Sequence, residues 1–120
     1  EKREVKSFLN TIANGRRLAG GFYLTPHALA DDGLLDVCMI HELKFFGRVR
    51  EFAHVIMQTH LDDPEVHFFR AKNFSIEFPG ETFAHLDGEL YSSKKFDITI
   101  MPRALPIIYN PAGKHYFSKV

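Results

Sequence analysis

The amino-acid pattern predicts a mainly β chain, largely antiparallel, with a single helix packed on the sheets. Three observations carry that expectation. Phe74, Ile76 and Phe78 alternate with Asn73, Ser75 and Glu77, and Phe96, Ile98 and Ile100 alternate with Asp97 and Thr99. That period of two marks strands with one face covered. Only Lys44–His60 departs from it: Phe45, Val49, Phe52, Ala53 and Ile56 recur at three- and four-residue steps, as on one face of an amphipathic helix. Finally, twelve Phe and no Trp among 120 residues bias the chain toward sheets.

Taken in order, Val5–Ala13 reads as extended and runs into Asn14-Gly15, a dipeptide that favours a tight hairpin because both residues tolerate positive φ. The return strand is expected over Leu18 to Leu24, with an irregularity at Gly20-Gly21, and Thr25-Pro26 ends it. Asp31-Asp32-Gly33 makes a turn into a well-buried strand, Leu34–Ile40. The helix follows, with Arg48, Arg50, Glu51 and Gln58 largely on its outer face, and Asp62-Asp63-Pro64 closes it. A strand through Phe74–Phe78 is expected to turn at Pro79-Gly80, and another, Thr82–Leu90, is broken at Gly88. A last strand, Ala104–Tyr109, belongs at an edge because Pro106 lacks a donor.

A chain of this length suits one domain with a real core, and 45% apolar residues can fill it. Fifteen Lys+Arg balance fifteen Asp+Glu, which argues against nucleic-acid binding by bulk charge. The lone cysteine, Cys38, sits in an apolar run and reads as a buried thiol, in keeping with a reducing, cytoplasmic setting. No apolar run approaches the ~20 residues of a membrane span. Glu1-Lys2-Arg3-Glu4 is a polar opening, and the chain is expected to begin partway through a longer protein.

Three groups could carry chemistry. His85, Asp87 and Glu89 would share a strand face if the segment were extended, and paired carboxylates beside an imidazole suit general-base work. A solvated strand face near an Asp-Gly turn explains the same spacing. Asp31, Asp32 and Asp36 around Gly33 suit a hard cation such as Mg²⁺ or Ca²⁺, without the spacing of an EF-hand; an ordinary Asp-Gly turn again suffices. Asn14–Gly21 matches neither dinucleotide nor P-loop patterns, and Arg16 and Arg17 read as solvated. The histidines fit no metal pattern, since His54 and His60 lie six apart.

In sequence order these features resemble one family. Asn14-Gly15, Gly20-Gly21, Pro26 and Ala28, then Asp32-Gly33-Leu34-Leu35-Asp36-Val37, then Asp87-Gly88-Glu89 are similar to the C-terminal half of the diacylglycerol-kinase-like lipid kinases, from about Val5 to Tyr109. That family includes bacterial diacylglycerol and phosphatidylglycerol kinases and the sphingosine kinases. Ala19 departs from the third consecutive glycine of many members, a change a bulge tolerates. The resemblance implies a β-sandwich-like second domain, with residues 1–120 forming that C-terminal part. The nucleotide-binding α/β domain, with its Gly-Gly-Asp-Gly motif, is absent from this chain.

It further implies an ATP-dependent kinase acting on a lipid hydroxyl such as that of diacylglycerol. Asp87 would be general base, and Glu89 would orient the site or help hold the catalytic Mg²⁺. Asp32, with the Leu29 and Leu34 carbonyls, would form a bracing cation site. ATP would bind mainly to the other domain, peripheral membrane contact would follow from the lipid acceptor, and this chain alone would be inactive. The competing readings are a non-catalytic β-rich ligand-binding or interaction module, and an NAD kinase, whose architecture is distantly related.

Overall fold

The computed structural model describes residues 3–18, 21–115 and 117. Along them run β1 (Ser7–Ala13), β2 (Leu35–His41), α1 (Phe45–Met57), a short 3-10 turn (His60–Asp62), β3 (Val66–Ala71), β4 (Asn73–Leu86) and β5 (Glu89–Thr99). Among the described residues, β1, β2 and β3 form one antiparallel sheet with β2 in the middle, and β4 and β5 form an antiparallel hairpin. The fold is therefore mainly β and antiparallel with one α-helix, as the alternation requires.

β2 is the centre of the core. Leu35, Val37, Cys38, Met39 and Ile40 are buried, so both faces of the strand are covered, which explains a continuous apolar run in place of alternation. Burying each of the larger side chains contributes about 1.5–3 kcal/mol. Asp36 is the polar exception. It is completely buried and sits directly across the ladder from Arg70 of β3, whose Nε donates to its Oδ1 at 3.0 Å. A second guanidinium nitrogen of Arg70 donates to the His27 carbonyl at 2.9 Å, tying the loop before β2 to the sheet.

That loop replaces the expected first hairpin. β1 pairs with β2, and the stretch expected to return from Asn14-Gly15 makes only an isolated bridge between Leu18 and Phe22. Neither Asn14 nor Gly15 has a positive φ, so the tight hairpin turn does not form. Their polar groups are taken elsewhere: Thr25 Oγ1 donates to the Gly15 carbonyl at 2.7 Å, and Asn14 Nδ2 donates to that of Ala30 at 3.2 Å. Thr25 and Ala28 are buried beneath. Of the expected irregularity, Gly21 lies in a turn, while Ala19 and Gly20 lie outside the described residues.

Four further expectations change. α1 ends at Gln58, whose left-handed backbone (φ 59°) directs its N–H to the His54 and Val55 carbonyls. Its apolar stripe faces outward: Phe45 is 71% and Phe52 54% exposed, and the buried residues are Glu51 and Val55. On the side the periodicity assigned to solvent, the Arg48 guanidinium lies over the Phe8 ring of β1, 4.6 Å from its centroid. Pro79-Gly80 is not a turn but part of β4, which is one long strand with a register shift between Glu77 and Thr82, where proline cannot donate to the ladder. Ala104–Tyr109 forms no strand; Pro102 and Pro106 remove donors, Arg103 has φ 58°, and the segment is exposed.

Candidate functional site

The β4–β5 turn consists of Asp87 and Gly88 alone, because Leu86 pairs directly with Glu89. Both turn residues have positive φ, 49° and 96°, the signature of a type I′ hairpin whose twist matches that of the strands. Aspartate tolerates the left-handed region and glycine occupies it without steric cost, so the Asp-Gly pair is what this turn demands. The tip is thus a stiff, narrow platform carrying one carboxylate. Asp87 is exposed, and among the described residues no hydrogen bond or ion pair engages its side chain.

This geometry corrects the expected common face of His85, Asp87 and Glu89. Residues paired across an antiparallel ladder lie on one side of the sheet. Glu89 pairs with Leu86 and His85 pairs with Leu90, so His85 and Glu89 project from opposite sides, and Asp87 belongs to neither strand. The residue that does join Glu89 is Tyr91, two positions on. Its hydroxyl donates to Glu89 Oε2 at 2.8 Å, and that bond raises the phenol above its usual range. The spacing Glu89-x-Tyr91 is itself the signal of one strand face, carried by a hydroxyl in place of an acidic or imidazole neighbour.

The expected cation loop lies just ahead of β2. Asp32 Oδ1 accepts the Leu34 N–H at 2.9 Å, and Gly33 has φ 73°. One carboxylate oxygen is therefore spent on shaping the loop. Leu29 and Leu34 are half-buried beside it in sequence. Asp36 supplies what the pattern did not reveal: its Oδ2 is buried without a partner. Burial pushes its carboxyl upward, Arg70 opposes this, and Asp32 adds to the rise. Two carboxylates close enough to disfavour each other's charge make a setting in which a hard cation is welcome.

A family model described as the YegS C-terminal NAD kinase beta sandwich-like domain matches residues 1–109. The chain belongs to this family. Its relatives include a protein of Shewanella frigidimarina named "Probable lipid kinase YegS-like", 28% identical over 103 residues, 86% of this chain and 33% of that protein. "Probable lipid kinase YegS" of Escherichia coli O1:K1 / APEC is 34% identical over 96 residues, 78% of this chain and 30% of that protein, and that of Shigella boydii serotype 18 shares the same figures. The chain spans about a third of the length of the curated relatives it matches. In this domain Asp87-Gly88 closes the β4–β5 hairpin, and no helix among the described residues is long and apolar enough to cross a membrane.

Proposed function

We propose that this domain is the acceptor-side part of an ATP-dependent lipid kinase, in which Asp87 is the general base for a lipid hydroxyl such as that of diacylglycerol. The observation that carries the reading is the unengaged Asp87 carboxylate, held by a type I′ turn in a domain whose relatives are named lipid kinases. Phosphoryl transfer requires positioning and charge neutralisation more than covalent chemistry. A rigid tip answers the first requirement. Asp87 takes the hydroxyl proton as the oxygen attacks the γ-phosphorus, the bond to the β-phosphate oxygen breaks, and ADP leaves. Glu89, anchored by Tyr91, orients the acceptor or the metal.

When bound, Mg²⁺ neutralises the phosphate charge. Glu89 is the residue here that would help hold it, since Tyr91 occupies only one of its oxygens. A second, bracing cation would use Asp32 with the Leu29 and Leu34 carbonyls, and the orphaned Asp36 Oδ2 fits that reading. ATP would bind mainly to a separate nucleotide-binding domain, so the present chain by itself transfers no phosphoryl group. The working place is the cytoplasmic side of a membrane, where ATP and a lipid acceptor meet through peripheral contact.

The test is a kinase assay of the full-length protein on diacylglycerol, phosphatidylglycerol and a sphingoid base, with Asp87→Asn as the paired variant. Transfer to one lipid that collapses in the variant is the expected result. Unchanged turnover in a folded Asp87→Asn protein would remove Asp87 from the chemistry.

A further inference from the structure

Away from the hairpin, α1 and the turn after it enclose a second polar group. Glu51 and His54 lie one helical turn apart on the inward side of α1. The left-handed Gln58 ends the helix, and the Thr59 N–H closes on the His54 carbonyl at 2.9 Å, which brings the following 3-10 turn and Asp63 back against the same side. As a result, one atom each from Glu51, His54 and Asp63 falls within 4.8 Å of the others. It is the one such trio of His, Cys, Asp or Glu among the described residues.

The contacts inside this group are incomplete. His54 Nδ1 stands 3.7 Å from Glu51 Oε2 and 3.5 Å from Asp63 Oδ2, too far for good hydrogen bonds. Asp63 Oδ1 accepts the Glu65 N–H at 2.9 Å, and Asp63 Oδ2 accepts Arg50 Nη2 at 2.8 Å. The Glu51 side chain is only 3% exposed, yet both its oxygens are buried without a partner, as is His54 Nδ1. An unpaired carboxylate so placed costs several kcal/mol unless something neutralises it. Burial first, and Asp63 second, push the Glu51 carboxyl upward. A proton shared between the two acids would satisfy one Glu51 oxygen and leave the other, and His54 Nδ1, still orphaned.

We infer that Glu51, His54 and Asp63 form a binding site for a divalent transition-metal ion, with Zn²⁺ the best match. One cation engages a Glu51 oxygen and the orphaned His54 Nδ1 at once, which a shared proton does not, and more than offsets the charge that Arg50 leaves over. The donor set of one imidazole nitrogen and two carboxylates favours Zn²⁺ over Mg²⁺. Bonds of 2.0–2.1 Å in a tetrahedron place ligand atoms about 3.3 Å apart, so the His54 pairs need to close by only a few tenths of an ångström. A water would complete the fourth position, and the His54 side chain, 30% exposed, leaves solvent close by. Such an ion would fasten the end of α1 to the turn that leads into β3, independently of any kinase chemistry.

The deciding experiment strips the full-length protein with a chelator and titrates it calorimetrically with ZnCl₂, MnCl₂ and MgCl₂, following the melting temperature in parallel. One equivalent of Zn²⁺ that excess MgCl₂ does not displace should bind and raise the melting temperature. Glu51→Gln and His54→Ala should each weaken Zn²⁺ by more than about tenfold, whereas Glu77→Gln, at an exposed position of β4, should leave it unchanged. His54→Ala guards against a folding defect, because that side chain is partly exposed and sits in no packed core. The inference fails if no saturable Zn²⁺ binding occurs, or if both variants bind Zn²⁺ as tightly as the parent protein.

Discussion

Along β2, six of seven residues are buried, and the strand is flanked by β1 and β3; along β5, most side chains are exposed, and among the described residues its only ladder partner is β4. The same antiparallel pairing serves two ends. In the three-stranded sheet it delivers apolar side chains from both faces into a core, so each residue there is worth stability. In the hairpin it carries a two-residue turn outward, so a change at the tip alters what the tip presents and little of what holds the domain together. Stability and candidate chemistry are thus spatially separable, and substitutions in the two regions should have different signatures.

The largest expected effect tests the hairpin. Asp87→Asn in the full-length protein should lower turnover by about 10²–10⁴-fold, the usual contribution of a positioned general base, with an unchanged melting temperature. A parallel loss of both would break the comparison, because it would make Asp87 a structural residue. Next comes the sheet. Ile40 is 3% exposed, and Ile40→Ala should cost about 2–5 kcal/mol in urea unfolding while leaving the turnover of the folded fraction intact.

How much of this was legible depended on whether a segment's fate was settled locally. The β2 run, the α1 period and the alternation in β4 and β5 survive because strand and helix periods are local properties. Asn14-Gly15 misled because the polar groups of that segment found partners sixteen and ten residues away, at Ala30 and Thr25, which no short-range rule anticipates. The apolar stripe of α1 was read correctly as a stripe and wrongly as its buried side; periodicity reports that a face exists, and packing decides which way it turns. Asp87-Gly88 was recognisable as a turn, yet its strict I′ geometry moved Asp87 off the strand face it was expected to share. The Glu51–His54 pair had a signal, Glu-x-x-His within a helix, but Asp63 joins it only through the reversal at Gln58.

A smaller effect sharpens the hairpin side of the comparison. Gly88 has φ 96°, and a β-branched residue there is forced into a region that L-residues avoid. Gly88→Val should destabilise the domain by about 1–2 kcal/mol in thermal denaturation. Because the strain falls on the turn itself, it should also lower turnover more than that modest destabilisation explains, by displacing the neighbouring Asp87. Wild-type turnover in this variant would mean that the turn's exact shape does not position the base.

The smallest expected effect is the most searching control. Leu90 lies one residue from the tip strand's start and is 58% exposed, against 3% for Ile40. If the hairpin contributes little to stability, Leu90→Ala should cost no more than about 0.5 kcal/mol, the range of ordinary surface substitutions. The pairing of Leu90 with His85 survives the change, since the ladder depends on backbone groups. A cost close to that of Ile40→Ala would mean that this face packs against something in the folded protein. The hairpin would then be a structural element as well as a platform, and the turnover loss in Asp87→Asn would have to be read against that added role.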